Sequence, residues 1–103
     1  MNQALPPELV RQSELTGAFA YIQEAVRITK ERVTDERLSR RTAHLFETIR
    51  LLCSVNREEI DQLRLLAGQL LMGAAEAGHE KNWPLLKREI EYVRGKLGKF
   101  FLN

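Results

Sequence analysis

Five side chains between residues 37 and 48 are of types that can do chemistry together: Arg37, Arg40, Arg41, His44 and Thr48. Read as a helix at about 100° per residue, they share one arc away from the apolar positions. Arginine forks match the geometry of phosphate and carboxylate, so three of them beside an imidazole and a hydroxyl make a candidate anion-binding or nucleic-acid-binding strip. A second candidate surface lies near the C-terminus. There Arg88, Tyr92, Lys96 and Lys99, with Leu85, fall opposite an apolar seam. A tyrosine among cations can stack on a base or anchor an acidic partner.

The stretch Arg40-Arg41-Thr42-Ala43-His44-Leu45 resembles the histidine phosphotransfer domains. That resemblance implies a helical bundle with an exposed mid-helix histidine that takes and passes a phosphoryl group. The family's motif continues with Lys and Gly three and four residues after the histidine, where this chain has Glu47 and Thr48. A carboxylate in place of the cation repels the incoming group, so phosphotransfer at His44 ranks third. Arg37 and His44, with six residues between them, also resemble the Arg–His pair of helical ribonucleases. Against both stands a simpler account: a solvated Arg-rich face partly paired with Asp35, Glu36 and Glu47. No catalytic residue is assigned and no enzyme is expected. The chain has no Cys/His cluster, no His-Glu-x-x-His and no glycine-rich phosphate loop, so neither metal nor cofactor is expected. No small-molecule substrate is inferred.

These residues need a scaffold, and the spacing of apolar residues describes one. Strand signals are almost absent. Leu15, Phe19, Ile22, Val26 and Val33 mark one helix; Leu38, Thr42, Leu45, Ile49 and Leu52 a second. Ile60, Leu63, Ala67, Leu70 and Ala74 mark a third; Trp83, Leu86, Ile90, Val93, Leu97 and Phe100 a fourth. Alternating steps of three and four are the seam of helices packed at a shallow angle. Pro6 and Pro7 can only open a helix, Ser13 offers a later start, and Thr34 and Asn56 supply N-caps, the latter with Glu59 to close a capping box. Gly78 suits a C-cap, and Asn82 with Pro84 opens the last helix. The predicted helices are 14–33, 35–53, 57–77 and 83–101, with residues 1–12 an N-terminal arm. The fold class is all-α: a four-helix bundle, up-down-up-down, in a single domain over 1–103. The link 53–56 has neither Gly nor Pro, which leaves an alternative: one long central helix 35–77 completing its core by dimerisation.

The third helix is apolar almost all round. Leu65 and Met72 fall opposite its seam with Gly68 between them. A helix apolar on every side is buried on every side, so these three residues predict a partner-binding surface. Gly73, Ala74, Ala75 and Ala77 would let another backbone come close. The alternative cover is the arm itself, Leu5 to Val10, folded back over this helix.

Composition bounds the rest. At 103 residues, 44% apolar and 29% charged, the chain is an ordinary globular protein without the apolar run a membrane helix needs. The start, MNQALPPELVRQ, shows no secretory signal, and the lone Cys53 suits a reducing compartment, so a cytoplasmic home is expected. Net charge is +2, with +4 gathered in residues 81–103. That small total argues against an autonomous DNA binder, though not against a subunit with one basic strip. The sequence therefore predicts a small interaction protein: an adaptor, regulator, inhibitor or assembly subunit. Its partner is another protein, a second copy of itself, or both. Nucleic acid is the alternative partner, and no membrane is expected.

Overall fold

The computed structural model describes residues 5–101 and is an all-α bundle of four helices. They are α1 (Pro7–Arg32), α2 (Glu36–Val55), α3 (Ile60–Glu80) and α4 (Trp83–Leu97), with 3₁₀ turns at Arg57–Glu59 and Gly98–Phe101.

The helix ends differ from the sequence reading in instructive ways. α1 opens at Pro7, where a missing N–H costs nothing, not near residue 14. Residues 7–12 of the expected arm are thus its first turns, and none of the described residues 5–14 is buried. Asp35, not Thr34, caps α2: its carboxylate accepts the Leu38 N–H at 3.0 Å. Asn82 caps α4, accepting from Leu85 N–H at 3.2 Å. Gly78 is not a C-cap. α3 runs on to Glu80, Lys81 takes the left-handed conformation (φ 55°), and the Asn82 N–H donates to the Ala77 carbonyl at 2.9 Å.

The long central helix 35–77 does not form. The chain breaks at Asn56, whose φ of −116° and ψ of 61° leave helical space. Its side-chain amide turns back to the Leu52 carbonyl at 3.1 Å, so it makes no capping box with Glu59.

Four seams meet in one core. Phe46, Ile22, Ile49, Ile60, Leu63, Leu70, Leu86, Ile90 and Leu97 are its largest fully buried side chains outside the smaller Val93, Thr29 and Thr42. In α1 the deepest line is Leu15, Ala18, Ile22, Ala25 and Thr29, while Phe19 and Val26 sit half-buried at its edge. The alanines let neighbouring helices approach that line closely.

Chain direction alternates up and down, yet the neighbours do not follow chain order. α1 packs on α2 and α3, and α4 packs on α3 and α2, while α1 and α4 share no packed interface. α1 and α3 run parallel: Arg11 pairs with Glu58 at 2.8 Å at one end, and Arg32 abuts Gly78 at the other. α2 and α4 are likewise parallel neighbours, joined by Arg41 and Glu91 at 3.1 Å. The Cα atoms span 52 × 31 × 16 Å, a flattened rhombus in cross-section with α2 and α3 across the short diagonal. Each of those two helices therefore runs down the middle of one broad face.

Candidate interaction face on the third helix

α3 turns Ile60, Leu63, Ala67, Leu70, Ala74 and Ala77 inward, and all are buried. Leu65 and Met72 point the other way and remain 75% and 74% exposed. Between them Gly68 floors an open groove of about 790 Å³. Tyr21 of α1 walls one side: its hydroxyl lies 3.3 Å from where a β-carbon on residue 68 would stand. Arg64 lies over the Tyr21 ring, 5.8 Å from its centre. Glu89 of α4 walls the other side, accepting from the Gln69 amide at 3.4 Å. Leu5 to Val10 do not cover this groove, since Pro7 to Val10 are the first turn of α1 and both apolar side chains stay open.

Most of the small residues on α3 serve the bundle itself. Gly73, Ala74 and Ala77 are buried, and a β-carbon on Gly73 would come within 2.7 Å of Glu89 Cγ. The neighbour that Gly73 admits is thus a side chain of this same chain. Only Gly68 and the half-buried Ala75 remain toward the outer side.

The basic candidates divide into two surfaces. Arg40, Arg41 and His44 of α2 line a shallow depression with Arg94 of α4, over Leu45 and Ile90. Glu91 partly neutralises it, accepting from Arg41 at 3.1 Å and lying 3.8 Å from Arg94. Arg37 is exposed and does not line that depression. His44 is exposed, but the Thr48 hydroxyl donates to the His44 carbonyl at 3.0 Å, and Glu47 pairs with Arg50 at 3.0 Å.

On α4, Tyr92 is half exposed with the Lys96 ammonium 5.5 Å from its ring centre. Lys99 donates to Gln62 at 3.2 Å and lies over Phe100, while Arg88 is exposed. Arg94, two residues past Tyr92, sits ~160° round the helix from it, so the two basic surfaces do not join. Leu85, expected on the outer side, is half-buried against the core. Phe100 is buried and closes the bundle; Phe101 is exposed.

Sequence reasoning missed Tyr21, Glu89 and Arg94, each brought to its site by a neighbouring helix that no single helical wheel identifies. Among the described residues no three His, Cys, Asp or Glu side chains lie together as metal ligands. No described helix is long and apolar enough to cross a membrane. Cys53 is buried, and burial pushes its thiol up to about 11.

Compared with family models, with curated proteins and with solved structures, the chain matches none.

Proposed function

We propose that this chain is a helical interaction protein whose working surface is the outer face of α3. One observation carries the reading: Leu65 and Met72, three-quarters exposed, flank a glycine-floored groove between α1 and α4. Scattered exposed leucines are ordinary, but two large flexible side chains over a small-residue floor form a site that another helix can fill. Burying both contributes ~3–5 kcal/mol, enough to hold a partner that adds polar contacts at the rim. Adaptor, regulator, inhibitor and assembly subunit are all roles of this kind.

The arginine depression supports a second reading, nucleic-acid binding, because Arg94 adds a fourth basic group to Arg40, Arg41 and His44. It ranks behind because Glu91 offsets two of those arginines and the net charge is only +2. Phosphotransfer at His44 is left aside, since Glu47 occupies the place a phosphoryl-holding cation would need.

The test places a photo-crosslinking amino acid at position 72 in the cells that make the protein. A discrete adduct that disappears with Leu65→Asp is expected, with no such adduct from position 37 on α2. Labelling at position 72 no different from that at position 37 would overturn the reading.

A further inference from the structure

The outer side of α3 carries a seam of its own. Asp61, Leu65, Gly68, Met72, Ala75 and His79 follow one another at steps of four, three, four, three and four. Such steps trace a straight line along a helix packed at a shallow angle. This seam is also symmetric about residue 70, reading the same from either end. An antiparallel crossing of α3 with itself at that level matches every layer. Asp61 meets the partner's His79, Leu65 meets the partner's Ala75, and Gly68 meets the partner's Met72. Large faces small, and acid faces imidazole.

We infer that the occupant of the α3 face is a second copy of this chain, docked antiparallel about a two-fold axis at the level of Leu70. The inference rests on the reading of α3 as a docking face and names what docks there. Parallel pairing fails on the same residues, because it stacks Asp61 on the partner's Asp61 and leaves glycine against glycine. The antiparallel arrangement is isologous, the commonest closed symmetry. The bundle's shape suits it: α3 stands at a corner of the short diagonal, proud of the line joining α1 and α4. Tyr21 walls the Gly68 layer, and a thioether packs well on an aromatic ring.

Two measurements on the purified full chain decide it. In light scattering the wild type is expected at twice its 11.9 kDa. Leu65→Asp with Met72→Asp should halve that mass and leave the helical circular dichroism unchanged. Oxidation of the Asp61→Cys/His79→Cys variant should give covalent dimers, with the native Cys53 too buried to compete. Asp61→Cys alone should give none, because the two-fold axis holds the two copies of residue 61 ~27 Å apart.

Covalent dimers from Asp61→Cys alone, or none from the double variant, would overturn the antiparallel register. A wild type that stays monomeric at high micromolar concentration overturns the second copy as occupant. If position 72 still gives its Leu65-dependent adduct to another protein in cells, the docking reading survives that failure. Should the aspartate variants unfold, the wild-type mass and the cysteine pair still decide.

Discussion

The carbonyl oxygen of Arg32, at the end of α1, lies where the side chain of residue 78 would begin. A β-carbon built on Gly78 would stand 2.5 Å from that oxygen and 3.0 Å from its carbon. Glycine is required there because two parallel helices touch backbone to backbone, and a carbonyl cannot swing aside as a side-chain tip can. Gly78→Ala should therefore destabilise the fold by ~1–3 kcal/mol, despite alanine's better helix propensity. Gly17 has nothing within 4 Å of the same construction, and Gly17→Ala should stabilise by ~1 kcal/mol. Urea unfolding of the two variants against wild type checks both signs.

Thr29 and Thr42 are both buried, yet only one has its hydroxyl satisfied. Thr42 donates to the Leu38 carbonyl at 2.7 Å, whereas the Thr29 hydroxyl is buried with no hydrogen-bond partner among the described residues. Valine has nearly the same shape as threonine and removes the stranded polar atom. Thr29→Val is expected to stabilise by ~1–2 kcal/mol, and Thr42→Val to give no gain. Thermal melts of the two single variants separate these outcomes.

Cys53 makes stability depend on pH in the alkaline range. Burial raises its thiol from 9.0 to about 11, partly opposed by the nearby Arg64 charge. Between those values the unfolded chain has released a proton that the folded chain still holds. Stability from this group is thus fully present below about pH 9 and falls as pH rises through about 11. The difference in unfolding midpoint between wild type and Cys53→Ala should shrink over that interval. A constant difference would mean the thiol titrates alike in both states.

All four helices were readable from spacing alone, since a three-four repeat of large apolar residues has one packing solution. Every seam residue named for α2, from Leu38 to Leu52, is buried, as are those of α3 from Ile60 to Ala74. α1 was harder because alanines carry much of its deepest line, and an alanine marks a core position far less clearly than a phenylalanine does. Its start was obscured by Pro6 and Pro7, which suit an extended arm as well as a first helical turn. The exposure of Leu65 and Met72 was legible too, because it depends only on the phase of one helix. The neighbours of that face were not. That α1 lies beside α3, and α4 beside α2, is a property of the whole packing, so Tyr21, Glu89 and Arg94 carried no local signal.

The 3₁₀ turn at Arg57–Glu59 joins two helical hairpins, α1–α2 and α3–α4, and both parallel interfaces of the bundle form between them. Nothing from Cys53 to Glu59 is Gly or Pro, so the bend is held by hydrogen bonds at Asn56, not by a residue that forbids a helix. Its N–H and side-chain amide both reach the Leu52 carbonyl, and its own carbonyl accepts from Glu59. A chain straightened here would part the two hairpins and strip each of its mate, so a few hydrogen bonds at one asparagine hold the two halves of the core together.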